Sequence, residues 1–127
     1  VENSEGKLYV HQRSEGKKLF PLLFGLGAGG GVEEGEEPKE AAKRELFEEL
    51  GIKSEIEFLF SFMFSNSDVS HKVHVFRTIY DGIMKPTKEE FKWSGWLELK
   101  KVDDLARADR LCPDTKILYR RFRGDYI

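Results

Sequence analysis

Gly30-Gly31-Val32-Glu33-Glu34-Gly35-Glu36-Glu37-Pro38-Lys39-Glu40-Ala41-Ala42-Lys43-Arg44-Glu45-Leu46-Phe47-Glu48-Glu49-Leu50-Gly51-Ile52 passes from a glycine-rich loop into a helix. Pro38 suits a first helical turn, where a missing N–H costs nothing and φ is already set. Gly51 stands where a helix wants a left-handed stop. Between them lie Ala, Lys, Arg, Glu and Leu, all good helix formers. Ala42, Leu46 and Leu50 recur every four residues and predict an apolar stripe for a core. Glu45, Glu48 and Glu49 stand at i, i+3 and i+4, which gathers three carboxylates on one face. Like charges at that spacing weaken a helix by roughly 0.2–0.5 kcal/mol per pair. A face serving only solubility would alternate signs. A hard cation such as Mg²⁺, which takes oxygen ligands and is often shared with substrate phosphates, gives the crowding a purpose.

The order Gly30, five residues, Glu36, seven residues, Arg44-Glu45-Leu46, one residue, Glu48-Glu49, one residue, Gly51-Ile52 resembles the Nudix box at every specified position. Proteins of that family typically hydrolyse a nucleoside diphosphate linked to another group, with Mg²⁺ or Mn²⁺. The resemblance implies that Glu45, Glu48 and Glu49 are metal ligands, and that Glu45 or a nearby carboxylate helps to activate water. It implies that Arg44 orients the glutamates by ion pairing and that Glu36 supports the loop–helix geometry or an outer metal shell. Gly30 would let the loop turn. The plainer alternative, an acidic helix face in solvent, does not account for the loop residues.

The chain has 127 residues, enough for one domain (residues 1–127) with a real core. Apolar residues make up 39% and charged residues 35%, the profile of a globular domain with a highly charged surface. A formal net charge of -2 gives no global attraction to nucleic acid or to anionic membranes. Phosphate must therefore be bound by a local site or through metal. One cysteine, Cys112, allows no internal disulfide and fits a cytoplasmic setting. No apolar run approaches membrane-spanning length. The sequence does not begin with Met, and a hairpin-like Asn3-Ser4-Glu5-Gly6 follows almost at once. The expectation is that part of a first strand is missing.

Lys7 to Arg13 reads as a strand, with Leu8, Val10 and Gln12 on one face and Tyr9, His11 and Arg13 on the other. Ser14 to Lys18 reads as a turn. Leu19 to Phe24 is apolar but broken by Pro21. Gly25 to Gly30 spells G-x-G-x-x-G, yet no helix opens at the glycines, and the acidic residues that follow would repel a pyrophosphate. These glycines are read instead as permitting close approach to the acidic helix. Strands follow over Glu55–Ser65, His71–Tyr80 and Phe91–Leu99. Helices are expected at Val102–Ala108 and from Pro113, with Lys116, Arg120, Arg121 and Arg123 toward the C-terminal half of the second. The pattern predicts an α+β fold. The resemblance sharpens it to the Nudix α/β/α sandwich, a mixed sheet with the box helix and C-terminal helices packed on it.

Outside the box, Nudix enzymes often add a carboxylate from a later loop or strand. Glu89 and Glu90 are the candidates, and Glu90, just before the Phe91 strand, is favoured over a solvated loop role. Arg13 is a candidate phosphate contact, since its fork matches phosphate oxygens. Lys17 and Lys18 read as solvated turn residues. His11, His71 and His74 read as ordinary strand residues. Phe62, Phe64 and Trp93 are read as core before base-stacking, and Cys112 as a passive thiol.

Gln12-Arg13-Ser14, Phe20-Pro21 and Cys112-Pro113-Asp114-Thr115 resemble bacterial Nudix hydrolases related to isopentenyl-diphosphate isomerase. The rival reading is that isomerase chemistry. Its cysteine acid and metal-binding histidine are absent here, where Gly27-Ala28-Gly29-Gly30 stands instead. A third reading is a nucleotide-binding module without catalysis, which such proteins reach by losing box glutamates that this chain keeps. The expected function is Mg²⁺-dependent hydrolysis of a diphosphate linkage in a small nucleotide-like substrate, with Mn²⁺ as a substitute. A homodimer through an exposed sheet edge is compatible with this reading.

Overall fold

Alternation of apolar residues over Leu8–Arg13 builds the strand on which everything else is stacked. The computed structural model describes residues 1–87 and 89–127. Its elements are β1 Leu8–Arg13, β2 Phe24–Leu26, α1 Pro38–Leu50, β3 Glu57–Ser65, β4 Ser70–Arg77, β5 Phe91–Leu97, α2 Leu99–Arg107 and α3 Pro113–Asp125. β1 is central in the antiparallel sheet β2-β1-β5, and β3 pairs antiparallel with β4.

Leu8 to His11 are all buried, so both faces of β1 are covered. On one face Leu8 and Val10 pack with Val102, Ala106, Leu111, Tyr119 and Phe122, which brings in α2 and α3. On the other Tyr9 packs near Leu46, Leu50, Ile52 and Ile56, which brings in α1. Period-two alternation thus places helices on opposite sides of one strand and produces the expected sandwich.

Residues 1–3 stitch the two sheets together. The Tyr9 N–H donates to Val1 O at 2.9 Å, the Glu2 N–H to Thr78 O at 2.9 Å, and the Tyr80 N–H to Glu2 O at 2.8 Å. Arg77 completes the seam with a bidentate ion pair to Glu2. All strand ladders among the described residues are antiparallel; the parallel component of the expected mixed sheet is confined to the isolated bridges Glu2–Ile79 and Phe24–Leu111. The fourth strand is shorter than expected because Thr78 to Tyr80 leave β3 to pair with Glu2. α2 starts at Leu99, three residues before the expected Val102, since the Glu98 carbonyl already accepts from Lys101 and Val102. No helix among the described residues is long and apolar enough to cross a membrane.

The acidic helix is closed with unusual completeness. Gly51 is left-handed, with φ 68° and ψ 22°, and its N–H donates to Phe47 O. The segment at 85–87 supplies the other partners that a helix end lacks. The Thr87 hydroxyl donates to Glu48 O at 2.7 Å, the Thr87 N–H to Glu49 O at 2.9 Å, and the Lys85 N–H to Leu50 O at 2.8 Å. A Cβ at residue 51 would also lie 2.8 Å from Lys85 Cβ. Gly51→Ala should therefore cost at least about 1–2 kcal/mol for the left-handed backbone alone, plus displacement of Lys85. Urea unfolding of the two proteins checks this; equal midpoints and slopes would refute it.

Candidate active site

The glutamates share one side of the helix, as the spacing predicts, but they are not equivalent on it. At about 100° per residue, Glu45 and Glu49 stand about 40° apart, while Glu48 falls about 60° behind Glu45. That offset divides them. Glu45 and Glu49 line a cleft of about 800 Å³ between the layers, and Glu48, 55% exposed, lies on the flank. The buried arc is also wider than the expected Ala42–Leu46–Leu50 stripe. Ala41 is fully buried beside the cleft, and Ala42 only partly.

Arg44 gathers this region. Its Nε and Nη2 donate to the two oxygens of Glu36 at 2.8 and 3.0 Å, and Nη2 also donates to Gly31 O at 3.0 Å. Nη1 donates to Glu45 Oε1 at 2.8 Å and to Glu48 Oε2 at 3.3 Å. Glu36 in turn accepts from the Glu33 N–H at 2.9 Å. The Arg44 fork, and then that N–H, hold the Glu36 carboxyl down at about 2.

The glycine loop closes over the carboxylates. A Cβ at residue 30 would come 2.3 Å from Glu45 Oε1, so any larger residue there would displace the Glu45 carboxylate. The Gly29 N–H points at Glu49 Oε1, 3.3 Å away. Burial, and then the neighbouring Glu45, push the Glu49 carboxyl well above the usual carboxylate range, with Glu90 adding to the repulsion. Among the described residues no three His, Cys, Asp or Glu side chains converge as a ready-made metal cage. The crowded, oxygen-only pair nonetheless suits a hard divalent ion, which would relieve the repulsion between the two carboxylates.

Glu90 lines the same cleft, brought there by two connections. Its N–H donates to Thr87 O at 3.1 Å, tying it to the helix cap. β5 pairs with β1 so that Arg13 stands opposite Phe91, across a register shift at Gln12/Arg13. Bulges of this kind re-aim side chains next to binding sites. Arg13 also lines the cleft, with Nε donating to Leu19 O at 2.9 Å.

Two residues read as unremarkable from sequence belong here. Lys17, expected in solvent, is partly buried on the cleft wall and ion-paired with Glu90; Lys18 is exposed as expected. The nearest signal was its place after Arg13, whose strand partner adjoins Glu90. His11, read as an ordinary strand residue, lies buried at the cleft, bonded through Nδ1 to Gly27 O at 2.7 Å and stacked on Phe91 at 4.3 Å. A Cβ at residue 25 would lie 2.5 Å from its Nε2. Cys112 is buried, and burial followed by Asp114 pushes its thiol up to about 11, which leaves it unreactive at neutral pH. Phe64 is core, while Trp93 is exposed against the expectation of burial.

The NUDIX domain family model matches residues 1–122. An uncharacterized Nudix hydrolase of Streptomyces coelicolor is 32% identical over 127 residues, covering 98% of this chain and 70% of that protein. The crystal structure of DR0079 from Deinococcus radiodurans superposes with a TM-score of 0.79 at 28% identity, over 94% of this chain and 76% of that one. The NUDIX domain of Shewanella oneidensis NrtR, complexed with ADP ribose, shares the fold at a TM-score of 0.77 and 20% identity, over 95% and 78% of the two chains.

Burial lowers the His11 pKa from 6.5 to about 4. The unfolded chain therefore binds this proton first as pH falls. The stability that neutral His11 contributes is complete above about pH 6.5 and drains away toward pH 4, by up to about 3 kcal/mol. His11→Asn should flatten the unfolding free energy across that window relative to the wild type. Equal pH slopes in urea titrations of both proteins would contradict the assignment.

Proposed function

This chain belongs to the Nudix family of hydrolases acting on phosphoanhydride bonds, and from that premise we propose that it cleaves a diphosphate linkage in a nucleoside diphosphate derivative or similar small substrate with Mg²⁺. The observation that carries the reading is the Glu45/Glu49 pair, held in a cleft under Gly30 and braced by Arg44. Glu45, Glu48 and Glu49 would hold the ion, for which Mn²⁺ can substitute. When bound, the ion supplies Lewis-acid polarisation of phosphate oxygens and neutralises their charge.

The remaining work falls to the protein's own groups. Arg44 keeps Glu45 aimed into the cleft through Nη1 while its other nitrogens grip the loop. Arg13 has its Nε engaged by Leu19 O, and its terminal nitrogens are suited to phosphate oxygens. Glu45 or Glu90 accepts a proton from the attacking water as its oxygen bonds to phosphorus, and the bridging P–O bond breaks with its electrons leaving on the departing phosphate. The loop and wall side chains exclude bulk water from the buried half of the cleft, which strengthens these charge interactions.

The test is phosphate and nucleotide release from a panel of nucleoside diphosphate derivatives that includes ADP-ribose, dinucleoside polyphosphates and NADH. It is run with Mg²⁺, with Mn²⁺ and with chelator. Release should need the metal, and Glu48→Gln and Glu49→Gln should each lower turnover at least ~100-fold, about 2.7 kcal/mol of barrier, while both variants stay folded. Near-normal turnover in either variant would remove that glutamate from the metal set. Tight metal-dependent binding without release would favour a binding module instead.

A further inference from the structure

The cation paired with Glu90, one of the two candidate bases, belongs to a loop that the sequence assigns to solvent. Lys17 reaches from the β1–β2 connection to Glu90, at the entrance of β5, and both side chains line the cleft. The loop that carries Lys17 is anchored at its two ends. Arg13 N–H donates to Leu23 O at 2.9 Å, Leu22 N–H to Arg13 O at 3.1 Å, and Arg13 Nε to Leu19 O at 2.9 Å. Phe20 and Leu22 sit at φ 51° and 64°, left-handed conformations that non-glycine residues adopt only where surroundings enforce them. A loop anchored at its ends thus presents one flexible four-carbon arm.

The ion pair at its end is only partly shielded, with side chains 27% and 40% exposed. Pairs so placed are weak and readily exchanged. Lysine is a compact point charge on a mobile stem, suited to moving between two anions. A diphosphate entering the cleft brings a denser negative charge than one carboxylate. Resting on the hydrolase reading above, we propose that Lys17 is an exchange residue: it neutralises Glu90 in the free protein, then transfers its ammonium to a phosphate oxygen of the substrate and leaves the Glu90 carboxylate facing the reacting water. The same contact thereby recognises the diphosphate and withholds the carboxylate until it has arrived.

Methylenediphosphonate, which has a diphosphate's charge but no cleavable bridge, is the probe. Its binding with Mg²⁺ is measured by calorimetry for wild type, Lys17→Met, Lys17→Arg, Glu90→Gln and the Lys17→Met/Glu90→Gln double variant. Lys17→Met should weaken binding roughly 10-fold or more and Lys17→Arg should recover most of the loss, as for a lost charge-assisted contact. Lys18→Met should bind like wild type. Glu90→Gln should tighten binding about 3-fold or more by freeing Lys17, and this gain should vanish in the Lys17→Met background, the signature of coupled residues. Tightening of equal size in both backgrounds would show simple charge repulsion and overturn the exchange. Wild-type affinity in Lys17→Met would overturn it while leaving the hydrolase reading standing. Failure of the wild type to bind the diphosphonate at all would overturn the exchange, while the hydrolase reading would still rest on the release assay above.

Discussion

One guanidinium bears most of the architecture of the acidic helix. Left alone, Glu36, Glu45 and Glu48 would repel one another and loosen the turn they occupy. Arg44 gives each an N–H and adds a backbone carbonyl of the glycine loop to the same fork. Lysine could match the charge but not this simultaneous grip, because only the planar fork offers donors in several fixed directions. The consequence reaches Glu49, which Arg44 does not touch. With Glu45 held by Arg44 and the loop closing at Gly30, Glu49 is crowded against a like charge in a poorly hydrated place. On the proposed reading, a divalent ion would relieve that repulsion.

The scaffold delivers other groups to the same place through shared connections. β1 is buried on both faces, so its end cannot drift, and its pairing with β5 sets Arg13 opposite Phe91 and beside Glu90. Thr87 caps two carbonyls of the acidic helix and accepts from the Glu90 N–H. Helix end, loop cation and later carboxylate are thus registered to one another by backbone hydrogen bonds. Side chains far apart in the chain can then meet without long flexible reaches.

Local chemistry was readable from the chain where the code is local. Pro38, Gly51 and the intervening spacing describe a helix with its caps, and the box glutamates follow from residue type and position. Strand alternation over Leu8–Val10 was enough to foresee a layered fold. What escaped depends on tertiary register. Lys17 looks like any turn lysine until β1 and β5 are paired, since its partner lies 73 residues away. His11 looks like a strand histidine until Gly25, Gly27 and Phe91 close around it. The three glutamates looked equivalent because i, i+3 and i+4 share a side of a helix, but a cleft wall resolves the angles within that side. Trp93 was misjudged for a related reason: aromatic strand residues suit a core, and this one stands opposite Gln12, toward the end of the face whose other end, at Leu8 and Val10, packs on α2 and α3.

The dependence of the site on Arg44 is best tested by calorimetric titration of Mn²⁺ into wild type and Arg44→Lys. The substitution keeps the positive charge and removes the fork. If the fork organises the carboxylates, the variant stays folded yet binds the ion at least roughly 10-fold more weakly, within the range expected when groups that orient ligands are lost. Unchanged affinity in a folded Arg44→Lys protein would contradict the account, since charge alone would then suffice.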